Sequence, residues 1–167
     1  MLHPAVAHFA VVLPILSLVL GLAYVFKPSE LMSKLTSRFM VFAAIFVIIA
    51  FFTGKNDGGE VYMLISGEGQ ELLKQHKQLG LYLAIAMGVV ALIKFYGCKT
   101  KSFKVEVFAI VLVAIISAGI MYQGKMGGEL TYNHGAHVKS YSDGMDCLAD
   151  PEEFMEEEED SQDEVKK

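Results

Sequence analysis

Histidine is the residue type in this sequence best suited to binding a metal ion or a haem iron, because neutral imidazole is a good ligand near pH 7. The chain has 167 residues and five histidines, namely His3, His8, His76, His134 and His137. The two cysteines, Cys98 and Cys147, form neither a Cys-x-x-Cys nor a Cys-x-x-Cys-His motif. Iron–sulfur clusters and covalently attached haem therefore find no support, and a histidine-bound cofactor is the chemistry to consider.

Four apolar runs must position these histidines, because 53% of the residues are hydrophobic, which is too many for an ordinary soluble fold of this size. The runs cover residues 2–26, 39–52, 79–95 and 105–122. Each supplies most of the roughly 20 residues that an α-helix needs to cross a bilayer. The first run lacks the basic start and the cleavage site of a signal peptide, so it is expected to stay as a helix. The predicted fold is all-α, a bundle of four transmembrane helices.

Basic residues in the connecting loops set the predicted orientation. The first loop carries Lys27, Lys34 and Arg38, and the third carries Lys94, Lys99, Lys101 and Lys104. The positive-inside rule places both loops in the cytoplasm of a bacterial inner membrane, so both termini and a longer loop at 54–78 are periplasmic. All five histidines then lie on the periplasmic side, although they were not used to derive the orientation.

The chain is predicted to be a tandem repeat of two helical hairpins, at about 3–66 and 71–135. Residues 53–62 read TGKNDGGEVY and residues 123–132 read QGKMGGELTY, so both contain Gly-Lys, Gly-Gly-Glu and a Tyr. His8 precedes Gly58 by 50 positions (58 − 8), and His76 precedes Gly127 by 51 (127 − 76). Two halves of equal topology predict a pseudo-two-fold axis along the membrane normal, which relates His8 to His76.

An up-down-up-down bundle makes this pairing chemically useful. Helices one and three occupy opposite corners, and a neighbour spacing of about 8 to 10 Å puts them roughly 12 to 14 Å apart. A non-covalent haem b can stand between them with His8 and His76 as axial ligands near the periplasmic face. Because both axial positions are then filled, the iron passes electrons and binds no substrate. The predicted function is an electron carrier without catalytic turnover of its own.

Four other residues are candidates for the same site. His3 and His134 can bind a second haem or a metal, donate hydrogen bonds to the first ligands, or simply cap helix ends. Lys55 and Lys125 can pair with haem propionates or with lipid phosphates. They adjoin the Gly-Gly-Glu segments, whose glycines are predicted to end the helices and to let a flat ligand approach the backbone.

The C-terminal residues 139–167 are predicted to form a disordered acidic tail, because charge of one sign prevents a packed core. The run at 143–164 holds most of the acid behind the formal net charge of −5, and the remainder is close to balanced. This composition gives no indication of nucleic-acid binding. The tail can serve as a docking surface for a basic soluble partner such as a periplasmic cytochrome c, or only as a solubilising segment.

Both ends of the predicted membrane domain resemble the signatures of a known family of bacterial membrane proteins, domain of unknown function 2231. Residues 2–10 read LHPAVAHFA and residues 127–135 read GGELTYNHG. The family opens with His-Pro-x-x-Val-His-Phe-Pro and closes with Gly-Gly-x-Leu-Val-Tyr-x-His-Gly, and this chain departs from it at Ala7, Ala10 and Thr131. The resemblance covers the chain to about residue 138 and implies a small four-helix membrane domain.

The resemblance also bears on the site and on possible partners. It implies that His3, His8, His76 and His134 are the family's recurrent histidines, whereas His137 belongs to this chain. Relatives fused to Rieske-type or cytochrome c-type domains make a redox role an implication of the same resemblance.

Two other functions were weighed against the electron carrier. The first alternative is a structural or assembly subunit, in which the histidines bind zinc or copper, or only anchor helix ends, and no haem is present. A transporter is disfavoured because no Asp, Glu, Lys or Arg lies deep within an apolar run, where a coupling ion would need a partner.

Overall fold

The computed structural model describes residues 3–136 as four α-helices without a strand among them. The helices are α1 His3–Phe26, α2 Glu30–Val61, α3 Gly67–Thr100 and α4 Phe103–Tyr132. All four are long and apolar enough to cross a membrane. The predicted all-α bundle of four membrane helices is therefore confirmed. His137 and the predicted acidic tail lie outside the described residues, so the predicted division at residue 138 stays a prediction.

Each helix packs mainly against two neighbours. The main contacts join α1 to α2, α2 to α3, α3 to α4, and α1 to α4. Helices α1 and α3 therefore occupy opposite corners, as the up-down-up-down arrangement predicts. The links 27–29 and 101–102 lie at one end of the bundle, and the turn 62–66 lies at the other with residue 3.

Residues spaced seven apart line the inner seam of each helix. On α1 they are His3, Ala10, Ser17 and Tyr24, and on α3 they are His76, Leu83, Val90 and Gly97; all are buried or half-buried. A seven-residue period is the packing pattern of helices that cross at a shallow angle in a left-handed bundle. The same period carries the two histidines His3 and His76 onto the inner side of their helices.

The predicted loop at 54–78 is wrong, because helix fills most of it. Helix α2 continues to Val61 and α3 begins at Gly67, which leaves a short turn capped by Ser66, whose hydroxyl accepts from the Gly69 N–H at 3.2 Å. The Gly-Gly-Glu segments also lie inside α2 and α4, so the prediction that their glycines end the helices is wrong. Glycine costs a helix only about 1 kcal/mol, and packing against neighbouring helices outweighs that cost.

Three of the helices are longer than a bilayer is thick. Helices α2, α3 and α4 have 32, 34 and 30 residues, which correspond to about 48, 51 and 45 Å at 1.5 Å per residue. The hydrocarbon core is only about 30 Å thick. The polar stretches 53–61, 67–78 and 123–132 therefore extend the bundle beyond the apolar runs. We call this end, with His3, the histidine end, and we call the opposite end, formed by 24–38 and 94–106, the basic end.

Candidate functional site

His3 begins α1 and is held against α2 at the histidine end. Its backbone N–H donates to Asp57 Oδ2 at 3.2 Å, and its ring Nδ1 lies 3.3 Å from Thr53 Oγ1. Asp57 is buried although it is a carboxylate. A Cβ placed on Gly54 would come within 2.7 Å of the His3 ring, so only glycine leaves the ring this space. The start of α1 is therefore fixed to the polar end of α2.

His76 lies on the inner seam of α3 and faces α4. Gln123 of α4 donates from its side-chain amide to the His76 carbonyl oxygen at 2.8 Å. The ring lies against Gly127, where an added Cβ would be 3.3 Å from Cε1. Within residues 3–136, the buried Nδ1 of His76 and the buried Oε1 of Gln123 have no hydrogen-bond partner. His76 therefore presents a ring nitrogen that the described part of the chain leaves unsatisfied.

His3 and His76 approach each other from opposite corners of the bundle, closely enough to interact electrostatically. Each ring rests on a glycine of the next helix, and the spacing in the chain is the same: 54 − 3 and 127 − 76 both equal 51. A haem that carries electrons without binding a substrate takes two axial side chains, and glycines let a flat ring approach the backbone closely. An unsatisfied imidazole nitrogen beside glycine contacts is compatible with that need.

His8 does not share this place. It is exposed, as are Ala5, Phe9 and Val12 around it, and its Nδ1 lies 2.6 Å from the carbonyl oxygen of Pro4 in the preceding turn. Five residues separate His8 from His3, which turns it by about 140° around the helix from the inner seam at 100° per residue. The structure therefore does not bring His8 to His76 across the bundle, and the α1 histidine that approaches His76 is His3.

The other predicted site residues lie at the same end of the bundle. His134 follows α4, where its Nδ1 lies 3.1 Å from the Ser66 hydroxyl and its Cβ stands 3.0 Å from a Cβ placed on Gly69. It therefore ties the end of α4 to the start of α3. Lys55 and Lys125 are exposed, so their predicted pairing with propionates or lipid phosphates stays a prediction.

Metal binding by side chains alone has little support in the described chain. No group of three or more His, Cys, Asp or Glu residues that could hold a metal ion exists between residues 3 and 136. Structural zinc takes four protein ligands, and catalytic zinc takes three. Two histidines are too few for either site, whereas they suffice as the axial pair of a haem.

A second polar site lies at the basic end, and sequence reasoning missed it. Lys94 of α3 and Glu106 of α4 are 0% and 2% exposed and form an ion pair. Glu106 also accepts from the Tyr24 hydroxyl at 2.9 Å and from the Ser33 hydroxyl at 2.7 Å. The Lys94 ammonium stands 4.7 Å from the centre of the Tyr24 ring. Side chains from all four helices therefore meet at one carboxylate.

This cluster corrects one sequence prediction. Lys94 is not a loop residue that marks the cytoplasmic side, because it lies inside α3 and is fully buried. Lys94 and Glu106 face the bundle interior close to the basic end, and neither lies deep within a span. The helical period carried a usable signal: Gly80, Met87 and Lys94 are spaced seven apart, which places Lys94 on the inner seam.

A pocket of about 430 Å³ opens beside this cluster at the basic end. Its lining includes Ser29, Lys34, Cys98 and Lys101 at the surface side and Glu106 at the inner side. Glu30 on its rim pairs with Lys34 at 3.0 Å and with Lys101 at 3.9 Å. The pocket therefore brings the surface of the basic end close to Glu106 and is large enough for a cluster of water molecules.

Comparison with known proteins agrees with the fold and leaves the chemistry open. Residues 1–140 match the model of a family described as predicted membrane protein, DUF2231. No curated protein and no solved structure matches the chain. The match covers most of the chain, including both histidine motifs and all four helices. The protein is therefore a member of the DUF2231 family of predicted membrane proteins.

Proposed function

We propose that this protein is a haem b-binding electron-transfer module of the bacterial inner membrane, with His3 and His76 as the axial pair. The observation that carries the proposal is that these two histidines lie on the inner sides of opposite helices at the same end of the bundle, each against a glycine and one with an unsatisfied ring nitrogen. This replaces His8 as the α1 ligand in the axial pair. When bound, haem supplies reversible one-electron chemistry at its iron.

The protein's own residues have separate tasks in this proposal. His3 and His76 would hold the iron, which would then carry electrons and bind no substrate. Thr53 lies beside the His3 ring, and Gln123 holds the backbone of His76, so α2 and α4 orient the two ligands. Gly54 and Gly127 keep the space beside the rings open. Neighbours that fix the orientation of an imidazole tune its strength as a ligand.

The exposed basic residues support the proposed orientation. Lys27, Lys34, Arg38, Lys99, Lys101 and Lys104 all lie at the basic end, even though Lys94 no longer counts among the loop charges. The positive-inside rule then places the basic end in the cytoplasm and the histidine end in the periplasm. The partner that this arrangement favours is a soluble periplasmic redox protein of the cytochrome c or Rieske type.

The deciding experiment is the dithionite-reduced minus air-oxidised absorption spectrum of protein purified in detergent from haem-replete cells. We expect a sharp reduced α band from the wild type, loss of the band in His3→Ala and His76→Ala, and retention of the band in His8→Ala. His8→Ala is the matched control because it removes the same side chain from an exposed position on the same helix. Size-exclusion profiles identify any variant that fails to fold.

Other outcomes would contradict the proposal in distinct ways. A flat spectrum from folded wild-type protein would rule out bound haem. The remaining function would be that of a structural or assembly subunit. A band lost in His8→Ala but kept in His3→Ala would return the α1 ligand to His8.

The orientation has its own test. In a Cys98→Ser/Cys147→Ser background, single cysteines at Met63 and Lys101 report the two ends, since Met63 is 84% exposed in the turn between α2 and α3. A membrane-impermeant maleimide added to intact cells should label Met63→Cys and not Lys101→Cys. The reverse pattern would place the histidine end in the cytoplasm.

A further inference from the structure

The pocket of about 430 Å³ at the basic end has an apolar wall and a charged rim. Tyr24 and Phe103 form the wall, with their ring centres 5.8 Å apart, and Phe103 is 44% exposed. Lys34 and Lys101 stand at the rim, and both side chains are exposed. A phospholipid has the same division, because its charged phosphate is joined to apolar chains.

The charges around the pocket do not cancel. Glu30 pairs with both rim lysines, at 3.0 Å from Lys34 and 3.9 Å from Lys101. Glu106, at the inner side, pairs with the buried Lys94. Three positive and two negative side chains therefore leave one positive charge, and it lies at the rim. The phosphate diester of a lipid carries one negative charge, which balances it.

Lys101 occupies a backbone position that favours glycine. Its φ of 54° lies in the left-handed region, and no other non-glycine residue between 3 and 136 has a positive φ. Lys101 caps the C-terminus of α3, where glycine is the usual residue because a side chain is strained in this conformation. Strain that a protein retains points to a use for the residue that bears it. The Lys101 ammonium extends from α3 towards Glu30 of α2, so that use lies at the pocket.

Two helices begin beside the same pocket. Glu30 is the first residue of α2 and Phe103 is the first of α4, and both line the pocket. A helix N-terminus attracts anions, because its dipole and its first N–H groups present positive charge. The Ser29 hydroxyl, which also lines the pocket, accepts from the Met32 N–H and has a hydrogen of its own to donate. These groups add to the attraction of the two lysines for an anion.

The rim lies at the depth of lipid phosphates. On this side of the membrane the apolar runs of α2 and α3 end at residues 39 and 95. Lys34 is five residues beyond its run and Lys101 is six, which correspond to about 7.5 and 9 Å along the helices. The headgroup layer on each side of a bilayer is about 5 to 8 Å thick. Lysine side chains at this level can reach the phosphates of the surrounding lipid.

We propose that this pocket binds the headgroup of one anionic phospholipid, with the phosphate between Lys34 and Lys101 and the acyl chains along the exposed side of Phe103. Basic pockets between membrane helices on the cytoplasmic side are suited to such headgroups. The bound lipid connects the start of α2 to the link between α3 and α4, so it adds to the stability of the basic end. The site is remote from the histidine end and does not depend on bound haem.

Native mass spectrometry of delipidated full-length protein in a neutral detergent, with synthetic lipid added, tests the proposal. We expect the wild type to bind one phosphatidylglycerol, and to bind phosphatidylcholine much more weakly because its ammonium group cancels the phosphate charge. Lys34→Gln/Lys101→Gln should weaken phosphatidylglycerol binding by about tenfold or more, since each lysine near a lipid phosphate contributes to affinity. Lys27→Gln/Lys99→Gln is the matched control. It removes two exposed charges from the same end, but neither side chain lines the pocket, so binding should be unchanged.

A further variant separates binding from folding. Lys101→Gly removes the ammonium and relieves the strained backbone. In lipid-free detergent it should therefore melt at the same temperature as the wild type or higher, and yet bind phosphatidylglycerol more weakly. Wild-type binding by folded Lys101→Gly would overturn the role of this lysine and, with it, the proposed site.

Other results would overturn the proposal as well. Equal loss of binding in the two double variants would show that the lipid responds to overall charge and not to the pocket. Equal binding of phosphatidylcholine and phosphatidylglycerol by the wild type would show that the pocket does not recognise an anion. Displacement of the lipid by inorganic phosphate would assign the pocket to a soluble phosphate compound.

Discussion

The two polar ends of the bundle differ in how completely their groups are satisfied. At the basic end, both oxygens of Glu106 have partners, and the Lys94 charge is neutralised and packed over the Tyr24 ring. At the histidine end, the ring of His76 and the amide of Gln123 keep unsatisfied atoms, and glycines stand beside both inner histidines. A closed network holds four helices in place, whereas an open one has capacity for a ligand. We therefore expect the basic end to contribute chiefly to stability and the histidine end chiefly to ligand binding.

The largest expected effect tests whether the ion pair at the basic end stabilises the bundle. Glu106→Ala leaves the Lys94 charge buried without a partner, which should lower the free energy of unfolding by about 3 to 5 kcal/mol. His76→Ala removes no satisfied charge and should cost much less. Thermal unfolding in detergent, followed by circular dichroism, measures both. Equal melting temperatures for the two variants would show that the two ends do not differ in their contribution to stability.

A paired replacement sharpens the same point. Lys94→Met/Glu106→Leu removes both charges and fills the space with apolar side chains, which should recover most of the stability that Glu106→Ala loses. If the double variant is as unstable as Glu106→Ala, then lost packing and not an unpaired charge explains the effect.

A smaller effect is expected from a single hydroxyl at the basic end. Tyr24→Phe keeps the ring that packs on Lys94 but removes the hydrogen bond to the buried carboxylate. Hydrogen bonds to charged groups contribute about 1.5 to 3 kcal/mol, so the unfolding free energy should fall by that amount. Tyr96→Phe, at an exposed position near the same end, serves as the control and should melt like the wild type.

Two glycines of α2 test whether the space beside the His3 ring is needed for haem binding. In Gly54→Ala the new methyl group meets the His3 ring, so the ring must shift and the reduced haem band should weaken. In Gly59→Ala nothing lies within 4 Å of the new group, and the helix should gain about 0.5 to 1 kcal/mol from alanine. Absorption spectra and melting curves of the two variants separate the effects. An unchanged band in Gly54→Ala would show that the ring position is not critical.

The smallest effect should come from His134. Its contact with the Ser66 hydroxyl joins the end of α4 to the start of α3 at a surface position. His134→Ala should therefore cost less than about 1 kcal/mol and leave the haem band intact. A lost band would add His134 to the ligand set and extend the binding site to the surface of the histidine end.

The sequence by itself determined the membrane fold of the protein. Long apolar runs can be stable only as helices in a bilayer, because every backbone group must be satisfied within its own segment. The number of these runs and the basic character of two of the links can also be read directly from the sequence. The repeat suggested α1 and α3 as the helices of a histidine pair, and the packing places these two helices on opposite corners.

The tertiary structure decided which side chains meet. Comparing sequence positions matched His8 with His76, but the helical period of 3.6 residues turns His8 to the outside and His3 to the inside. The polar segments around Gly58 and Gly127 have poor helix propensity alone, and only packing against neighbouring helices keeps them helical. Lys94 likewise reads as a loop charge until four helices close around it. Each outcome depends on rotation and packing in three dimensions, which hydrophobicity and charge along one chain do not specify.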